Sequence, residues 1–256
     1  MTVIETLLAA LASGEVEVVD LTAPLSPETP ILQLPPPFAN TIPLSLEPLS
    51  AYDEAGPAWR WNNIHTGEHT GTHLDAPVHW VSGRDGRSVD ELPPARLIGP
   101  AVVVDVTAET EADADFLLGP EHLDAYVAKH GPLPDNAWLL LRTGWSSRAN
   151  DAAAFANADD NGPHTPGVSV AGAQWLASSS ISGFGVETVG IDAGQAGGMD
   201  PAFPVHHFLL GADKYGLTQL QNLDRLPRTG ALIVVSPLPI VGGSGSPTRA
   251  FAIMPR

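Results

Sequence analysis

The chain has 256 residues, 43% of them hydrophobic, which is enough apolar material to bury the core of one large domain or two small ones. Its net charge is −17 and its only lysines are Lys129 and Lys214, so it lacks the basic footprint that a nucleic acid or an anionic membrane requires of a partner. Cysteine is absent, which removes disulfides, thiolate nucleophiles and cysteine-held zinc or iron–sulfur centres together.

The opening segment, MTVIETLLAALASG, contains a short apolar stretch, but no Lys or Arg precedes Arg60. A secretory leader wants a positive start, so an amphipathic helix over Ile4–Ser13 is predicted instead. Further helices are predicted over Glu121–His130, between Gly119–Pro120 and a stop at Gly131, and over Val170–Ser179. Strand-length apolar runs lie at 16–21, 101–107, 137–144, 183–192, 231–240 and 250–255. Several are apolar without a break, the pattern of strands covered on both faces. Interspersed strands and helices give an α/β class, and no solenoid repeat or long linker divides the chain, so a single domain over 1–256 is expected. The 25 Gly and 25 Pro read as turns between short elements. Segments 146–167 and 194–205 read as long loops, either binding loops or plain surface excursions. No run reaches the ~18 apolar residues of a membrane span, and a cytoplasmic location is the expectation.

Residues 69–79, HTGTHLDAPVH, place three of the nine histidines and an aspartate within eleven positions. His69 and His73 have the spacing of two helical ligands, but Gly71, two β-branched threonines and Pro77 oppose a helix. In a strand, His69, His73, Asp75 and His79 would share one face. Full extension would still separate the Cα atoms of His69 and His73 by about 13 Å, too far for one ion. A bend at Gly71, with Pro77 closing the far end, would aim His69, His73 and Asp75 at one point. Two imidazoles and a carboxylate leave coordination places for water and substrate, the pattern of a catalytic metal site. The plainer alternative is a polar strand with satisfied histidines.

The segment resembles the His-x-Gly-Thr-His-x-Asp-x-Pro-x-His signature of the cyclase-like metal-dependent hydrolases, the family of bacterial kynurenine formamidase and isatin hydrolase. VVDLTAPLSPETP (18–30), LLLRTGW (139–145), GVSVAGAQWLA (167–177), VGID (189–192) and GGSGSPTRA (242–250) resemble its other blocks in order. The resemblance implies a swivelling β/β/α fold around a mixed, barrel-like sheet, with chains assembled as homodimers or homotetramers. It implies that His69, His73 and Asp75 ligate a metal and that His79 acts as acid and base beside it. HHFLLGADKYGLTQL (206–220) resembles the family's second site, in which a His is followed twelve residues later by a Glu. His206 fits the His, but the Glu position holds Thr218, with Gln219 next to it. Thr is a poor ligand, so one divalent ion, Mn2+ or Zn2+, is expected, as in the isatin hydrolase branch.

Trp59, Trp61 and Trp80 flank the motif, either as core aromatics or as a stacking surface for a flat substrate. Trp80, Trp59, Thr218 and Gln219 are the candidate substrate contacts. GGSGSP lacks the Lys-Ser/Thr of a phosphate loop and reads as a hairpin turn, and Arg249 reads as half of an ion pair more readily than as a substrate anchor. The expected reaction is hydrolysis of an amide or lactam C–N bond of a small aromatic substrate, with a lactone or ester hydrolase or a cyclase on the same scaffold as the alternative. His79 would take the proton of the attacking water and return it to the leaving nitrogen, with His206 assisting. Two rivals come from other classes. One is a non-haem iron oxygenase using His73, Asp75 and His206 or His207, which would leave His69 and His79 idle. The other is a metal binder without catalysis.

Overall fold

Alternation along the strands dictates the layering of this computed structural model, which describes residues 1–34 and 36–256. Helix α1 (Val3–Ser13) is opened by a Thr2–Glu5 capping box and closed by Gly14 in the left-handed conformation. Strand β1 (Val16–Asp20) follows. Strands β2 (Ser45–Ala51) and β3 (Arg60–His65) form an antiparallel hairpin of their own. Then come β4 (His73–Asp75), β5 (Ile98–Asp105), α2 (Thr107–Ala112), α3 (Pro120–His130) and β6 (Trp138–Arg142). The remainder is α4 (Ala152–Ala156), α5 (Val170–Ser178), β7 (Gly183–Val186), β8 (Tyr215–Leu217), β9 (Ala231–Pro237) and β10 (Gly245–Pro255).

Strands β5, β6, β7 and β8 run parallel to one another in that order. Strand β8 pairs antiparallel with β4, β4 with β10, β10 with β9, and β9 returns to β5, so the sheet closes on itself. Strand β1 lies outside that ring, along the distal half of β10. Side chains of one parity fill the ring: Ala101 and Val103 of β5, Leu140 of β6 and Leu217 of β8 meet Leu74, Ile233 and Ala252. Those of the other parity, such as Val102, Leu139, Leu141 and Phe184, meet Leu123 of α3 and Ala173 and Leu176 of α5. Burial on both faces explains the unbroken apolar runs. The predicted β/β/α arrangement around a barrel-like mixed sheet is therefore the observed one.

The three predicted helices lie within a residue or so of the observed ones. The run at 183–192 stops at Val186, because the buried Glu187 carboxylate turns aside to accept Thr143 N, Gly144 N and the hydroxyls of Thr143 and Ser146. The run at 250–255 begins earlier, at Gly245, so the second half of GGSGSP is strand; only 238–244 turns the hairpin between β9 and β10. Segment 146–167 is not plain loop but carries α4.

Candidate metal centre and active site

Gly71 supplies the bend, with φ of 64°, a left-handed value that glycine adopts without strain. His69 lies before it and His73 after it, and their ring centroids are 5.2 Å apart. Beyond the bend His73, Leu74 and Asp75 form β4: Leu74 enters the ring core, and the alternate residues His73 and Asp75 leave on the opposite side. Directly across from Asp75 stand Gly216 of β8 and Gly245 of β10. Neighbours in register share a face, so two glycines leave that face bare around the carboxylate. Pro77 ends the strand and starts a 3₁₀ turn that carries His79, whose ring stacks on His69 at 3.8 Å. His206 comes from a distant π-helical turn, His206–Leu210.

The proton inventory of these groups decides what they can hold. His73 Nδ1 lies 2.7 Å from the carbonyl of Gly71, which only accepts, so Nδ1 carries a proton and Nε2 is the nitrogen turned toward Asp75. That Nε2 is 3.3 Å from Asp75 Oδ1, and His69 Nδ1 is 2.8 Å from the same oxygen. Ligating atoms of His69, Asp75 and His79 all lie within 4.8 Å of one another. A carboxylate and several imidazole nitrogens gathered so closely suit a divalent cation. Burial alone would push the Asp75 carboxyl up, but the charge of His73 and the hydrogen bonds from His69 and His73 hold it well below the usual range. It is therefore an anion in a buried place.

His79 and His206 are driven apart in acidity. Burial, with the opposing charges of His69, His206 and His73, pushes His79 down to about 3 against the pull of Asp75. Burial would also lower His206, but the hydrogen bond and charge of Asp192 outweigh it and raise the imidazole above its ordinary value. The same Asp192 carboxylate accepts the backbone N–H groups of Val205 and His206. The two rings are 5.5 Å apart between centroids, and His79 holds a proton far less readily than His206 does.

A cavity of about 200 Å³ opens on these groups, with Leu32, Leu34, Ala39, Val189 and Gly190 facing the histidines and Asp75. It is smaller than the ~300–1,000 Å³ of pockets for drug-sized ligands, so its occupant is small. The structure thus brings His69, His73, Asp75, His79 and His206 to one place. Trp80 stands beside them, 4.8 Å from the His206 ring. Trp59 and Trp61 lie elsewhere, exposed and edge to face on the β2–β3 hairpin. Thr218 is buried with its hydroxyl 2.9 Å from His73 Nδ1, so it braces a ring and does not face the cavity. Gln219 donates from Nε2 to the carbonyl of Pro30 and ties down the loop that carries Leu32 and Leu34. Arg249 pairs with Asp20, as its sequence context implied. The apolar wall formed by Leu32, Leu34 and Ala39 has no periodic signal, and sequence reasoning misses it.

A family profile described as "Putative cyclase" matches residues 19–193. The chain belongs to the cyclase family. Among its relatives, isatin hydrolase of Roseibium aggregatum is 49% identical over 251 residues, spanning 97% of this chain and 95% of the relative. Kynurenine formamidase of Salinibacter ruber is 31% identical over 194 residues, 73% of this chain and 77% of that one. A crystal structure of an isatin hydrolase bound to the product analogue thioisatinate superposes with a TM-score of 0.97 at 47% identity, covering all of both chains (100% and 100%). Such agreement extends the family's architecture to every element described above.

Proposed function

We propose that the protein is a metal-dependent amidohydrolase that opens the lactam ring of isatin or a closely similar aromatic cyclic amide. The single observation that carries this reading is the cluster of imidazole nitrogens around the anionic Asp75, at the floor of a small, largely apolar cavity. The near-complete similarity to isatin hydrolase directs the choice of substrate.

In this reading His69, His73 and Asp75 hold one divalent ion, Mn2+ or Zn2+, both of which imidazole and carboxylate ligands accept. Such an ion, when bound, polarises a carbonyl and brings the pKa of a bound water toward neutrality. The free imidazole of His79 accepts the proton released as water attacks the lactam carbonyl carbon. The proton on His206 Nε2, backed by Asp192 at Nδ1, is the one available to the departing ring nitrogen. Leu32, Leu34 and Val189 exclude bulk water and cover the flat faces of the substrate. His79 also belongs to the group whose ligating atoms converge, and the metal content of His79→Ala separates a base from a ligand.

We also assign the β2–β3 hairpin to a homodimer or a higher homo-oligomer. Leu46, Trp59, Trp61 and Ile64 are exposed on it, more apolar surface than a lone hairpin keeps in water. Mass measurement by light scattering tests this directly, and Trp61→Glu would then shift the mass toward the monomer.

The test of function is ring opening of isatin by purified protein, followed by absorbance, before and after removal of metal with a chelator. Activity should vanish on chelation and return with Mn2+ or Zn2+. An N-formyl amide and an aromatic lactone belong in the same panel. Turnover of isatin that survives complete removal of metal would overturn the reading.

A further inference from the structure

The glycine-rich segment 242–245 does more than turn a hairpin. Its backbone is pinned at two points, where Ala76 N donates to the Ser244 carbonyl and Val89 N to that of Gly243. Ser244 Oγ lies 2.6 Å from Glu68 Oε2, and Ser244 N donates to the same oxygen at 3.1 Å. On the other side His69 Nε2 lies 2.9 Å from Ser244 Oγ. A hydroxyl has one proton to give and a carboxylate only accepts, so the serine proton goes to Glu68. The bond to His69 must then use a proton on Nε2. Nδ1, the atom that meets the Asp75 carboxylate at 2.8 Å, is then the ring nitrogen left to exchange that contact for a cation.

The flanking glycines fit the same purpose. A Cβ at Gly245 would come within 2.5 Å of His69 Cε1, and one at Gly243 within 3.0 Å of Glu68 Oε1. Gly245 has no room for a side chain, and one at Gly243 would press on Glu68, while Glu68 and His69 close on Ser244.

We propose that Glu68 and Ser244 are positioning residues that fix the tautomer and the orientation of His69, so that its Nδ1 lone pair is presented to the divalent ion. The inference rests on the reading of His69 as a metal ligand. Partners of this kind, placed behind a ligating histidine, typically change metal affinity by about 10–100-fold.

The test measures Mn2+ and Zn2+ affinity by competition with a chelator for the wild type, Ser244→Ala and Glu68→Gln. Nitrogen-15 spectra of histidine-labelled, metal-free protein, with His69 assigned by its replacement, report which ring nitrogen carries the proton. The expected result is wild-type protein with Nε2–H on His69, and about 10–100-fold weaker metal binding in Ser244→Ala with that tautomer lost. Glu68→Gln keeps an acceptor oxygen and should lose less. It also carries the test if Ser244→Ala does not fold, because any loss of affinity must then accompany a change at His69. Variants that match the wild type in affinity and in tautomer overturn the inference alone. A wild type that binds neither metal removes the ligand reading and the inference with it.

Discussion

Asp192 holds the imidazole of His206 from behind. Nδ1 lies 2.5 Å from Asp192 Oδ2, and Nε2, across the ring, lies 4.0 Å from Asp75 Oδ2. The carboxylate thereby decides where the ring points and raises its hold on a proton. Asp192→Asn keeps an acceptor for the backbone of Val205 but removes the charge. The expected outcome is a fall in kcat of about 10²-fold for lactam opening, with bound metal unchanged. Steady-state kinetics with metal analysis of the same preparation check it. Unaltered kcat would remove His206 from the proton transfer.

His79 meets the opposite fate, held neutral by burial beside three other imidazoles. His79→Ala should retain the metal and lose about 10²–10⁴-fold in kcat, the usual contribution of a positioned base. Metal content distinguishes the roles: protein that loses its ion together with its activity would make His79 a ligand and leave the base unassigned.

The candidate metal site is legible in the sequence because a single bend at Gly71 suffices to gather residues that are already close along the chain. Asp192 is harder to find, since it ends an apolar run that reads as strand while the strand itself stops at Val186. The bonds that join Ser244 to His69 and Gln219 to Pro30 span 175 and 189 positions, and no local pattern encodes them. Strands β4 and β8 have three residues each, too short to show a period, and only their pairing across the ring makes them strands. The layered core, by contrast, is written in long runs of Val and Leu that any pairing would bury.

His164 lies outside the active site and offers a test of charge pairing by pH. Its Nδ1 is 2.6 Å from Asp115 Oδ2 and its Nε2 3.2 Å from Asp159 Oδ1, and the hydrogen bond to Asp115, with the charges of both carboxylates, raises its pKa. The folded state binds this proton more tightly than the unfolded chain does. The stabilisation is therefore complete below the unfolded value of about 6.5 and is lost as pH rises through the folded value. His164→Gln should lower the urea midpoint at about pH 5.5 and have a much smaller effect at about pH 9. An equal loss at both would mean that packing, and not charge, is what the imidazole contributes.

The bare face around Asp75 depends on its two neighbours across the sheet. A Cβ at Gly216 would come 2.7 Å from Asp75 Oδ2 and 3.1 Å from Ile191 Cδ1, both on buried residues that have no room to retreat. Gly216→Ala should therefore cost about 1–3 kcal/mol of stability through overpacking. It should also displace the carboxylate and weaken metal binding. Gly198→Ala is the control, because no atom lies within 4 Å of its added Cβ and its φ is not positive. Urea unfolding of metal-free protein reads the first effect and metal titration the second. If Gly216→Ala loses stability yet binds metal like the wild type, Asp75 shifts freely and the strand register does not set the ligand geometry. If both measurements match the control, the glycine pair is not what clears the site, and the space around Asp75 must be kept by the bend at Gly71 alone.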